Sequence, residues 1–118
     1  MSIIESIRQL AQAGNVSYSG HATSQMISRS ILSDVVKSIL SANDNQIVEV
    51  QSPSNTPGKE HRDCRYLVYS PSSEDVVIVS LLLSQPRQEV RVVTAERVDD
   101  AVWDRIEGGN PAIVRKTT

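Results

Sequence analysis

A chain of 118 residues with 39% hydrophobic and 22% charged residues has ordinary globular composition, which excludes wholesale disorder and leaves room for one modest core. Its formal charge of −2 gives no global pull toward nucleic acid, so any phosphate site has to be local. With one tryptophan, three tyrosines and no phenylalanine, packing has to come from Val, Ile and Leu, which suits a β-rich interior.

In chain order, Ser2-Ile3-Ile4-Glu5 has the spacing of a capping box. Ile3, Ile4, Ile7, Leu10 and Ala11 follow at helical period until Gly14 stops the helix. A second helix is expected from about Gly20 to Arg29, with Ser19 as its cap. Ser33 reads as the cap of a third, which carries Val35, Val36, Ile39 and Leu40 inward and breaks at Asn43-Asp44-Asn45.

From Gln46 the period changes to that of strands. Ile47 to Val50 is a short edge strand, and a Pro- and Gly-rich loop from Ser52 to Lys59 follows it. Arg65 to Tyr69, Val76 to Leu83 and Val90 to Ala95 are three more strands. Their connections are too short for a helical crossover, so they pair antiparallel. The run Val76 to Leu83 is apolar on both faces, which places it centrally under the helices. Asp99 to Ile106 reads as a short closing helix ended by Gly108-Gly109, and the tail 110–118 is expected to be flexible. The fold expected is therefore α+β: N-terminal helices packed on one face of a four-stranded antiparallel sheet, with a short C-terminal helix, in a single domain over 1–109.

The run Val76 to Leu83 is too short to cross a membrane, and the N-terminus lacks the basic-then-apolar pattern of a secretion signal; a cytoplasmic address is expected. Cys64 has no partner cysteine for a disulfide and no CxxC companion for zinc. The two histidines lack metal-ligand spacing, and no cofactor is expected. The chain carries no glycine-rich phosphate loop, no HExxH and no G-x-S-x-G elbow.

Three places carry chemistry. In SGHATSQMISRSILSDVV (Ser19 to Val36), His21 stands in the first helical turn, where free backbone amides favour an anion. Gln25 shares its face one turn on, and Arg29 lies two turns on, about 80° around the axis. Equally, a histidine after a glycine simply starts a helix, and an arginine near a helix end complements the macrodipole. The second place is Lys59-Glu60-His61-Arg62-Asp63-Cys64-Arg65, where His61, Arg62 and Arg65 stand at the entry to a strand; a solvated mixed-charge run is the alternative. Third, Thr94 is expected on the same strand face as Val90 and Val92, opposite Arg91 and Val93. Tyr66 and Tyr69 fall on opposite faces, so they form no single stacking platform for bases.

The run His21-Ala22, Met26, Arg29, Ile31, Asp34-Val35, followed by strands ending in Val92-Val93-Thr94, resembles the bacterial and phage family called domain of unknown function 4258, with its pattern HAxxRMxxRxI and a following DV. The likeness covers roughly Val16 to Glu96. Where the pattern has its first arginine, this chain has Gln25. The resemblance implies kinship with the barnase, EndoU, colicin and RelE-like fold, many of whose members are metal-independent ribonuclease toxins.

Metal-free RNA cleavage needs a base for the 2′-hydroxyl proton, a cation for the phosphorane oxygens and an acid for the leaving oxygen. Histidine suits the first or last role, and arginine, with its permanent forked charge, the second. Under that reading His21 is the base, Arg29 and Arg65 hold phosphate, Thr94 orients the substrate, and Gln25, His61 and Arg62 bind RNA. A toxin implies a neutralising antitoxin. The other expectation is a non-catalytic binding module on the same fold, engaging a host protein or nucleic acid.

Overall fold

The computed structural model describes residues 2–57, 63–83 and 87–116. The first helix, α1 (Ile3–Gln12), starts where the Ser2 hydroxyl accepts from the Glu5 amide at 3.3 Å. It ends in a Schellman turn: Gly14 takes a left-handed φ of +80°, Gly14 N donates to the Ala11 carbonyl, and Asn15 N to that of Leu10. The next three residues form β1 (Val16–Tyr18), which the sequence reading lacks.

Helix α2 (Gly20–Ser28) is capped as expected by Ser19, whose hydroxyl accepts from the Ala22 amide at 3.0 Å. It closes in a second Schellman turn. Ser30 N donates to the Ile27 carbonyl and Ile31 N to that of Met26, and the left-handed position falls on Ser30, at φ +56°. In helix α3 (Ser33–Ser41) the capping position belongs to Leu32, which supplies no side-chain bond, and Ser33 is already inside the helix. Its far end is held by Asn45, buried, which donates to the carbonyls of Ile39 and Leu40 and accepts at Oδ1 from Arg8 of α1 at 2.6 Å.

The strands β2 (Gln46–Gln51), β3 (Arg65–Tyr69), β4 (Asp75–Leu82) and β5 (Glu89–Arg97) form an antiparallel meander. The sheet nevertheless has five strands and is mixed, in the order β1-β5-β4-β3-β2, because β1 adds to β5 in parallel with Val16 opposite Val90. The expected four-stranded antiparallel sheet is corrected in this respect; α+β stands. Strand β4 is central, as its apolar run requires.

One face carries the three helices. Ile7, Ala22, Met26, Val36, Ile39 and Leu40 pack there on Val68, Val77, Val79, Val90, Val92 and Ala95. Each such aliphatic side chain contributes about 1.5–3 kcal/mol on burial.

The other face holds a second cluster. Leu67, Tyr69, Val76 and Ile78 are covered by Trp103 and Ile113, and the covering element is not the expected closing helix. Asp99 to Val102 makes a turn, and the chain then forms β6 (Trp103–Arg105), which pairs antiparallel with β7 (Ile113–Arg115). The connecting turn needs glycine at two positions. Gly108 has φ +68°, and a Cβ on Gly109 would stand 2.6 Å from the Ile106 side chain and 2.8 Å from the Pro111 carbonyl oxygen. Gln46 clamps this turn by donating to the Gly109 carbonyl and accepting from the Ala112 amide at 2.7 Å. Residues 113–115 of the expected flexible tail are thus strand. No helix among the described residues is long and apolar enough to cross a membrane.

Candidate functional site

Strand β5 outlasts its neighbour. Pairing with β1 stops at Val92, whereas β5 runs on to Arg97, so the backbone from Val93 onward has an open edge on that side. Helix α2 crosses this edge, and its polar side chains complete it. Ser19 N donates to the Val92 carbonyl, Ser19 Oγ to that of Val93, and Arg29 Nη1 to that of Ala95 at 2.7 Å and to Thr94 Oγ1 at 3.3 Å. An arginine where a strand edge would stand bare is a device against strand-to-strand aggregation.

Thr94 reaches Arg29 because the sheet is irregular there. The register jumps between Ile78↔Thr94 and Val79↔Val92, leaving Val93 as an extra residue, and a bulge turns the following side chains over. Thr94 consequently lies on the face of Ile78 and Val93, not with Val90 and Val92 as alternation predicts.

The seven candidate residues divide. Arg29 and Thr94 are in contact. Exposed His21 and half-buried Gln25 lie on the same side of α2 as Arg29, with His21 about 12 Å along the axis from it. Arg65 is apart: β4 stands between its strand and β5, a separation of about 10 Å, and it pairs with Gln51 toward the other end of the sheet. His61 and Arg62 lie outside the described residues. A cleft of about 630 Å³ beside Arg29 is lined by Glu96, Arg97, Asp99, Val102 and Trp103. Two cations face two carboxylates there, and Arg97 already meets buried Asp75 at 3.5 Å. This lining does not concentrate positive charge for a phosphate.

A second concavity, of about 550 Å³, opens on the opposite side of α2, where the chain turns into α3. Its walls are Tyr18, Met26, Ile27, Ile31 and Leu32, with the hydroxyls of Thr23, Ser30 and Ser33 at its margin. Ile27 and Leu32 are 76% and 68% exposed. Among the described residues, the Tyr18 hydroxyl is the buried side-chain polar atom without a hydrogen-bond partner, a situation that costs about 1–3 kcal/mol. Burial, with a smaller contribution from the Asp34 carboxylate, holds the Tyr18 phenol above its ordinary range. Sequence reasoning passed over this groove because Tyr18 belongs to a strand too short to show a period; the available signal was the apolar pair Ile31-Leu32 between two helices, of which Ile31 is buried and Leu32 exposed.

The ion pair between Arg115 and Glu49 is structural. Arg115 Nε and Nη2 donate to the two Glu49 carboxylate oxygens at 2.7 and 3.1 Å, and the guanidinium lies 4.6 Å over the Trp103 ring. That hydrogen bond chiefly holds the Glu49 carboxyl below its usual range. Among the described residues no group of His, Cys, Asp and Glu could hold a metal ion.

No family model matches the chain, and neither a curated protein nor a solved structure does. The resemblance to the 4258 family therefore rests on its motif.

Proposed function

We propose that the chain is a non-catalytic binding module that engages its ligand at the α2–α3 groove, at the cytoplasmic address expected of it. The observation that carries this reading is the disposition of the arginines. Arg29 is engaged with the edge of β5 through Ala95 and Thr94, and Arg65 stands on a strand beyond β4. A phosphorane needs its cations and its base within hydrogen-bond reach of one reacting centre, and this arrangement favours an edge-sealing role for Arg29 instead.

The reading as a metal-independent endoribonuclease of the toxin type, with RNA as substrate and an antitoxin as partner, keeps one observation in its favour. Arg29 touches Thr94, and His21 lies on the same side of α2. One assay separates the two. Purified wild type, His21→Ala and Arg29→Ala are incubated with total RNA in EDTA, with folding followed by circular dichroism. The binding module predicts intact RNA with all three. Cleavage by wild type that is lost in folded His21→Ala would establish the ribonuclease instead.

A further inference from the structure

The cleft beside Arg29 is divided by charge. Arg97 is the cross-strand partner of Asp75, which lies two residues before helix-facing Val77, so Arg97 points to the helix side of β5. Glu96 stands opposite Val76 of the second cluster and points to the hairpin side. Arg29 enters from the end of α2 and Asp99 from the turn that leads into β6. The cations thus approach the open edge of β5 from one side and the carboxylates from the other. All four line the same cavity, Arg29 and Glu96 half-buried, Arg97 and Asp99 exposed. Yet no ion pair among the described residues joins either arginine to either carboxylate. Arg29 bonds the strand through Nη1, which leaves Nε and Nη2 as free donors. Glu96 accepts no hydrogen bond from the described residues, and Asp99 accepts at Oδ1 alone, from the Ala101 amide.

We propose that this cleft binds a small zwitterion, a carboxylate and an ammonium joined by a short apolar chain. The site goes beyond the reading of the α2–α3 groove and does not rest on it. The carboxylate meets the forked donors of Arg97 and Arg29, and the ammonium meets Glu96 and Asp99. The chain between them lies on Val98 and Val102, which are half-buried in the cleft wall. About 630 Å³ lies within the range of small-molecule sites. The balance of charge selects the class. An anion alone is repelled by two carboxylates and a cation alone by two arginines, whereas a molecule with both charges finds an opposite charge for each. Because these side chains are partly solvated, each contact contributes moderately.

The test is a titration of the ¹⁵N-labelled protein in low salt with 6-aminohexanoate and, separately, with hexanoate, hexylamine and inorganic phosphate, followed by amide chemical shifts. 6-Aminohexanoate is expected to shift Arg29, Glu96 to Asp99 and Val102 saturably. Hexanoate and hexylamine, which keep the chain and lack one charge each, should bind about 5- to 20-fold more weakly. Glu96→Gln should weaken 6-aminohexanoate and hexylamine and leave hexanoate undiminished; Arg97→Gln should weaken 6-aminohexanoate and hexanoate and leave hexylamine undiminished. The ligand each variant still binds shows that it is folded. Absence of saturable shifts with 6-aminohexanoate, equal affinity for either single-charge analogue, or a variant that weakens all three ligands alike overturns the assignment. So does phosphate that binds at these amides more tightly than 6-aminohexanoate, which would make the cleft an anion site.

Discussion

Replacing Arg29 by alanine separates an edge seal from a phosphate ligand. The substitution removes a charge-assisted bond of 2.7 Å to the carbonyl of fully buried Ala95 and a weaker one of 3.3 Å to Thr94. Bonds to charged groups contribute about 1.5–3 kcal/mol, and an acceptor left unpaired in a buried strand adds its own penalty. Arg29 is itself only half-buried, which moderates the total, so a loss of about 2 kcal/mol is expected. For a chain of this size that is roughly 5–10 °C in Tm.

Urea unfolding followed by circular dichroism measures it as a lower midpoint at unchanged slope. Sedimentation of Arg29→Ala should also show concentration-dependent self-association, because the bared edge of β5 can pair with another strand. Thr94→Val, which removes only the longer contact, should lose well under half as much. An Arg29→Ala protein within 0.5 kcal/mol of wild type and monomeric at all concentrations refutes the edge-seal argument. The arginine would then be free to serve a ligand.

Trp103→Ala removes the largest side chain of the second cluster together with the platform under Arg115, and a loss of about 3–5 kcal/mol is expected in the same urea experiment. Asn45→Ala strips the end of α3 of its acceptor-satisfying amide and leaves Arg8 without its carboxamide partner; thermal unfolding should show about 2–4 kcal/mol lost. Stability should pass through a maximum in mild acid. Burial holds the Asp75 carboxyl above its unfolded value, with Arg97 opposing and Glu74 adding less, so the folded state takes up a proton first and gains stability as pH falls through that raised value. Glu49, held low by Arg115, is stabilising above its unfolded value and loses that contribution as pH falls through its lowered one. Asp75→Asn should abolish the fall in Tm as pH rises out of mild acid and leave the fall as pH drops into stronger acid.

What could be read from the residues was whatever local chemistry decides. Ser2 with Glu5 and Ser19 mark helix starts because a hydroxyl at the cap satisfies an amide two or three residues on, and both helices begin there. The β-branched runs gave β3, β4 and β5 in antiparallel order. Leu32 was missed as the cap because it cannot cap, and Ser33 beside it can.

The larger misses depend on distant partners. Val16-Ser17-Tyr18 is too short for a period and is a strand only because β5 lies beside it. Val102, Trp103 and Ile106 have spacing that fits a helix, yet pairing with Ile113 to Arg115 and burial of Trp103 against the sheet make a strand. Gly108-Gly109 between short runs containing tryptophan and β-branched residues was also a hairpin signal. For the candidate site, the helix positions of His21, Gln25 and Arg29 were legible, but the bulge that turns Thr94 over leaves no mark in the alternation of side chains.

The parallel pairing of β1 with β5 has a kinetic consequence. Strands β3, β4 and β5 follow one another closely and can zip as neighbours, whereas Ser17 and Arg91 are 74 residues apart. Closing so long a loop precedes any reward from the contacts it makes. The meander is therefore the natural nucleus, and β1 docks upon it late with the helices that flank it. Weakening Val16 should then quicken unfolding far more than it slows folding, and the edge that Arg29 seals belongs to a strand assembled before its guard arrives.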